Sequence, residues 1–277
     1  MTVTEVSSRQ DREAFLAVPR LLYRDDNAWV CPLDKEIESI FDPQKNVYFK
    51  HGEASRWVLH DEEGKLIGRV AAFIDLNTCD KYDQRTGGMG FFECIHKQEA
   101  AKLLFDTARD WLKERGMEAM DGPINFGETD KYWGLLVDGF THPSYEIAYN
   151  PPYYQELFEG YGFQTYFKQE GFHLDVSEPL PPRFERIAER VASNPDYSFE
   201  HFRWKEADRY MQDFVSVFNV AWASFKENFE PLEVSYIKKT LLKAKAIIDE
   251  EFIWIAYVKG EPVAIYLMYP DVNLILK

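Results

Sequence analysis

One loop of this chain, Asn125–Trp133, brings together Glu128, Asp130 and Tyr132. An acid and a phenol two residues apart can orient an amine and take a proton from it, so these three are the catalytic candidates. The plainer reading of the same loop is structural, packed by Trp133. His51-Gly-Glu53 stands just ahead of a predicted strand and offers a second position for a general base; read plainly, it is a loop histidine beside a solvated glutamate. Tyr149–Tyr154 is an aromatic cluster that either lines a groove or belongs to the core. No metal site is expected: His142, His173 and His201 lack ligand spacing, and Cys31, Cys79 and Cys94 form no CxxC pair and read as buried free thiols. No GxSxG or other nucleophile motif occurs.

The 277 residues are 45% hydrophobic and 16% aromatic, with a formal net charge of −15. Phosphate-rich partners need clustered Lys and Arg, so nucleic acid and anionic membrane surfaces are disfavoured as partners. The apolar runs fall far short of the ~20 residues that span a bilayer. The first residues (MTVTEVSSRQDREAF) carry no signal-peptide core, which makes the cytoplasm the expected location.

Periodicity supplies the elements that must position these residues. Strands are predicted at Thr2–Val6, Ser55–His60, Leu66–Asp75, Gly90–Ile95 and Glu118–Asp121, and helices at Asp11–Leu22 (capped by Asp11), around Glu36–Phe41, and at Lys97–Arg115 and Pro151–Gly160. In Lys97–Arg115 the residues Ala101, Leu104, Ala108, Trp111 and Leu112 share one face. Phe163–Phe167 and Phe172–Val176 read as two further strands. Ser177–Pro182 then breaks all periodicity and is taken as a linker, giving a first domain over 1–176 and a second over 183–277. The second is expected to hold helices at Arg183–Ala192, Ala207–Phe225 and Val234–Lys245, and strands at Ser198–Phe202, Phe252–Val258 and Pro262–Tyr269.

A pattern recurs between the two domains. Gly64 is followed by an apolar strand, Asp75 and Asn77; Gly260 is followed, without a gap, by an apolar strand, Asp271 and Asn273. Trp57-Val58-Leu59 and Ile253-Trp254-Ile255 precede the two glycines. The expectation is a tandem α/β protein with a mixed sheet, its first unit complete and its second truncated. A truncated unit leaves a sheet edge open, to be covered by an oligomeric partner or by a further C-terminal segment.

The order of these elements, with Leu157-Phe-Glu-Gly-Tyr-Gly-Phe163 as anchor, resembles the GCN5-related N-acetyltransferase (GNAT) superfamily. Leu21-Leu-Tyr-Arg-Asp-Asp-Asn27, Gly90-Phe-Phe-Glu93, Gly122-Pro-Ile-Asn-Phe126, Leu135-Leu-Val-Asp-Gly-Phe140 and Tyr149-Asn-Pro-Pro-Tyr-Tyr154 resemble a group of longer bacterial tandem GNAT-like proteins. The resemblance implies acyl transfer from acetyl-CoA to a small-molecule amine. The cofactor would lie against Ile95, His96, Lys97 and Gln98, with Asn150 and Tyr154 beside it. Two family features are missing. The phosphate turn falls at Cys94–Ala101 and contains no glycine, and the helix tyrosine position is Phe158. Two readings therefore stand: an acyltransferase of GNAT type, and a non-catalytic GNAT-fold binding or interaction module.

Overall fold

The computed structural model describes residues 1–81, 83–223 and 231–277. Its contacts divide the chain into Met1–Glu170 with Asp271–Lys277, and Gly171–Pro270. The division thus falls ahead of the 177–182 linker, and the last seven residues group with the first unit. Two hydrogen bonds show why: Asp271 Oδ1 accepts the Tyr145 amide at 3.1 Å, and the Asn273 side chain donates to the Pro143 carbonyl at 2.8 Å.

The first unit is mixed α/β. Its sheet runs in the order β1 (Thr2–Glu5), β2 (Gly52–His60), β3 (Leu66–Asp75), β4 (Thr86–Cys94) and β5 (Ala119–Asp121). All pairs are antiparallel except β4–β5, which is parallel. β3 is buried along almost its whole length, as a central strand with helices on both faces must be. One face is covered by α1 (Arg9–Leu22) and α2 (Asp34–Ile40), through Phe15, Ile37 and Val58. The other is covered by α3 (Gln98–Glu114) and α4 (Tyr154–Tyr161). α3 buries Ala100, Ala101, Leu104, Phe105, Ala108 and Leu112, close to the predicted face, with Trp111 only partly covered.

Several expectations change in detail. The cap of α1 is Ser8; Asp11 is the third helical residue and bonds back to the Ser8 amide, completing a capping box. The turn Pro151–Tyr153 precedes α4, which starts at Tyr154. α4 ends at Tyr161, one residue beyond the predicted Gly160, and is capped by Gly162 in the left-handed region (φ 117°), with Phe163 packing back on Phe105 and Phe158. Phe163–Phe167 and Phe172–Val176 form no strand, and Phe172 and Val176 are almost fully exposed. Alternation alone does not make a strand; no hydrogen-bonding neighbour lies alongside these residues in either sheet.

The second unit pairs β6 (Tyr197–His201), β7 (Ile253–Val258) and β8 (Glu261–Leu267) antiparallel in that order. α5 (Pro182–Ala192) precedes β6; α6 (Ala207–Ala223) and α7 (Val234–Lys243) lie between β6 and β7, and α8 (Asn273–Leu276) ends the chain. The predicted end of α6 at Phe225 falls outside the described residues. The connection strand, helix, helix, hairpin is thus the one seen over β1–β3. Both hairpin glycines have positive φ (81° at Gly64, 85° at Gly260), and both aspartates accept the amide of the asparagine two residues on, at 3.0 Å.

One close approach shapes the neighbourhood of the site. A Cβ built on Gly90 would lie 1.8 Å from the Ile124 carbonyl oxygen, so the strand and the loop after β5 can touch only because residue 90 is glycine. Gly90→Ala is expected to lower stability by about 1–3 kcal/mol. Thermal unfolding checks this; an unchanged melting temperature would show that the loop is free to shift.

Candidate active site

β4 carries an irregularity that aims its last residues. Arg69 pairs with Glu93 and Ala71 with Gly90, so Val70 on β3 faces both Phe91 and Phe92 on β4. This is a bulge, and Phe91 takes the positive φ (50°) that such a bulge ordinarily gives to glycine. β5 pairs only with Thr86–Gly88, and the chain then leaves through the cis peptide Gly122–Pro123. Among the described residues, the far half of β4 therefore has an edge without a neighbouring strand.

Glu93 lies on this stretch, 8% exposed. Its Oε2 accepts two phenol hydrogens, from Tyr23 at 2.6 Å and Tyr154 at 2.7 Å. Its Oε1 is 3.5 Å from Nη2 of Arg69, itself only 5% exposed. Arg69 donates to the Phe15 carbonyl at 3.0 Å and lies over the Phe15 ring, and its Nε has no partner. The phenols come from opposite layers. Tyr23 follows the end of α1, held flat against Trp29 at 5.0 Å, and Tyr154 opens α4. Burial pushes the Glu93 carboxyl above its ordinary value, while Arg69 and the two phenols pull it partly back. Burial also pushes both phenols well up, with the Glu93 charge next in effect.

Glu93, Arg69 and Tyr154 line a cavity of about 100 Å³ whose other walls are mostly apolar and aromatic, among them Trp29, Val30, Ile37 and Phe91. Among the described residues, four non-glycine positions have positive φ, and three of them line this cavity: Phe91, Tyr132 (φ 47°) and Glu146 (φ 61°). Strained backbone costs roughly 1–3 kcal/mol per residue and collects at functional sites. The Tyr132 amide bonds the Glu146 carbonyl at 2.8 Å, and Lys131 pairs with Glu146 at 2.7 Å. Burial raises the Glu146 carboxyl, and Lys131 lowers it in part.

The structure separates the residues chosen from sequence. Tyr132, Asn150 and Tyr154 line the cavity. Glu128 does not; it accepts the Tyr48 hydroxyl at 2.9 Å, and Asp130 is exposed nearby. These two share the surroundings of Tyr48 with His51, whose Nδ1 is 2.7 Å from Asp75 Oδ1. Asp75 lies six steps along β3 from Arg69, so at ~3.3 Å per residue this acidic patch is about 20 Å from Glu93. Ile95, His96, Lys97 and Gln98 form the turn into α3, outside the cavity wall. Exposed His96 stacks on Tyr153 at 4.5 Å, and Gln98 donates to the Leu157 carbonyl at 3.1 Å. Lys97 occupies the cap position of α3, where no side chain bonds the first amides; Glu99 in the first turn opposes an anion there. Among the described residues no three His, Cys, Asp or Glu side chains are grouped to hold a metal.

Glu93, Arg69 and Tyr23 had no candidate role in the sequence. Gly90-Phe-Phe-Glu93 carries only a weak signal, a charged residue near the end of an otherwise apolar strand. Asn150 staples the loop on the cavity's far side: its Oδ1 accepts the Leu136 amide at 2.8 Å, and its Nδ2 donates to the Leu136 carbonyl at 3.0 Å. Asn150→Ala removes both bonds, and hydrogen exchange at Leu136 should then accelerate on the order of ten-fold or more. Exchange at the wild-type rate would show that the loop is held elsewhere.

No family model matches this chain. Two relatives align over nearly all of it. Bacterial ceramide synthase of Caulobacter vibrioides is 27% identical over 278 residues, 99% of this chain and 71% of the relative. Protein YghO of Escherichia coli is 25% identical over 268 residues, 96% of this chain and 67% of the relative. Among solved structures, a GCN5-related glucosamine N-acetyltransferase region in a fungal multi-domain β-N-acetylglucosaminidase superposes with a TM-score of 0.46 at 12% identity, covering 95% of this chain and 27% of that one. FemX superposes with a TM-score of 0.38 at 13% identity, covering 92% and 57%. In each of these two comparisons, this chain spans less than two thirds of the solved chain's length. Among the described residues no helix is long and apolar enough to cross a membrane.

Proposed function

We propose that this chain is an N-acyltransferase of GNAT type, moving an acyl group from a CoA thioester to an amine. The observation that carries the reading is Glu93, a buried carboxyl raised above its ordinary value that lines a largely apolar and aromatic cavity. An amine attacking a thioester must lose a proton, and a carboxylate with a raised pKa takes that proton more readily than an ordinary one. The net reaction shifts one proton from the amine nitrogen to the departing thiolate, and Glu93 is the group placed to carry it. Apolar walls keep water from the reacting carbonyl. They also suit an amine on an apolar stem. The name of the Caulobacter vibrioides relative fits this, because making a ceramide is the N-acylation of a long-chain amine.

The uncapped start of α3 offers the Gln98 amide to a pyrophosphate, in keeping with the sequence resemblance, while the Lys97 amide is spent on the Ile95 carbonyl at 2.6 Å. The open edge of β4 fits an extended thioester arm less well. The Cys94 amide already donates to the Tyr154 hydroxyl at 2.8 Å, and the Cys94 carbonyl accepts the Tyr153 hydroxyl at 2.8 Å. This occupied edge favours the second reading, a non-catalytic binding module, and the same experiment separates the two.

Calorimetry with acetyl-CoA and with a long-chain acyl-CoA should give a binding isotherm for at least one. With a competent amine, Glu93→Gln should lower kcat by roughly 10²–10⁴-fold and leave thioester affinity within a few-fold. The wild-type rate should rise with pH through a pKa above the usual carboxylate range. Absence of binding at millimolar thioester, or full activity of the Gln variant, would overturn the assignment.

A further inference from the structure

The two phenols on Glu93 do more than satisfy a buried acid. The terminal torsion of a glutamate is broad, so a carboxylate in a cavity ordinarily offers either oxygen. Here both hydroxyls converge on Oε2, at 2.6 and 2.7 Å, while among the described residues Oε1 has only Arg69 Nη2 at 3.5 Å, beyond a good hydrogen bond. The Tyr154 hydroxyl also accepts the Cys94 amide at 2.8 Å, so its one hydrogen is committed to Glu93. Tyr23 is held by its stack on Trp29, and the Tyr154 ring packs edge-on against Phe92 at 5.2 Å. We propose that Tyr23 and Tyr154 are positioning residues that clamp Glu93 by Oε2 and leave Oε1 as the one proton-accepting oxygen turned to the cavity. The proposal rests on the acyl-transfer reading only for the source of the proton.

The groups that set the charge of Glu93 come from every element packed on it. Arg69 on β3, Tyr23 after α1 and Tyr154 on α4 all favour the carboxylate, against burial. Tyr153 in the turn before α4 and Cys94 beside it stay protonated, Cys94 pushed up to about 12 by burial and by the Glu93 charge. Hydrogen bonds donated to a carboxylate lower its pKa, so removing a phenol must raise it.

The test follows the ionisation of Glu93 by infrared difference spectroscopy on protein carrying carbon-labelled glutamate, with Glu93→Gln to assign the band. Tyr23→Phe and Tyr154→Phe should each raise the midpoint by about one pH unit. Tyr154→Phe also strips the Cys94 amide of its partner, so Tyr23→Phe is the decisive variant if the former does not fold. In acyl transfer, the acid limb of kcat/KM should move up by the same amount, with KM for the thioester within two-fold. A folded Tyr23→Phe protein with an unmoved midpoint would reduce the tyrosines to packing and overturn the clamp. A moved midpoint in a protein that transfers no acyl group would uphold the clamp and overturn the acyltransferase reading instead.

Discussion

A carboxylate kept from water must be satisfied by the protein or give up its charge, and Glu93 imposes that condition on the whole first unit. Desolvating an ion costs several kcal/mol, and a single partner seldom offsets it. The answer here draws on three layers: Arg69 from the central strand, Tyr23 from the end of α1 and Tyr154 from the start of α4. Arg69 is buried too, and at 3.5 Å the pair is loose. The phenols, not the cation, make the short contacts. A loosely paired carboxylate can still exchange a proton; a tight bidentate pair would hold its charge through the working pH range.

The same site stores backbone strain. Phe91, Tyr132 and Glu146 each hold a conformation that side chains disfavour, and all three line one cavity. Phe91 shows the return on that cost. With the extra residue in β4, Phe91 faces α1 and α2, Phe92 faces α3 and α4, and Glu93 faces Arg69. A regular strand would shift every residue beyond the bulge to the opposite face. The close approach of Ile124 to Gly90 then keeps the departing loop against the bulged strand.

How much of this was legible follows from what periodicity can carry. β3 came out of the sequence with its observed ends, and α3 within a residue of them, because a long apolar run and a long 3.6-residue pattern each name their element. Phe172–Val176 carries an equally clean alternation and makes no strand, since pairing is a property of neighbours and not of the segment. Tyr154 and Asn150 were placed near the site by resemblance to a family helix, while Glu128 and Asp130 were chosen for chemistry and lie with His51 and Asp75 at the other end of the sheet. Glu93 could not be singled out, because its partners are 70 and 61 residues away in sequence and nothing local marks them.

The repeated Gly…Asp-x-Asn pattern gains a physical meaning from its two settings. In both, the aspartate accepts the amide two residues on and turns the chain; Asp75 does so at the end of β3, and Asp271 four residues beyond the end of β8. In the first copy the spare acceptor capacity of Asp75 goes to His51 and Thr78. In the second, Asp271 takes the Tyr145 amide, and Asn273 reaches the Pro143 carbonyl while lining the cavity that holds Glu93. The same local turn thus ends a strand at one site and closes a cavity wall at the other. Tyr145 also donates to Glu36 on α2, and the next residue is the strained Glu146. The Asp271–Asn273 turn therefore braces a wall under strain, so loosening it should disturb the cavity before it disturbs either sheet.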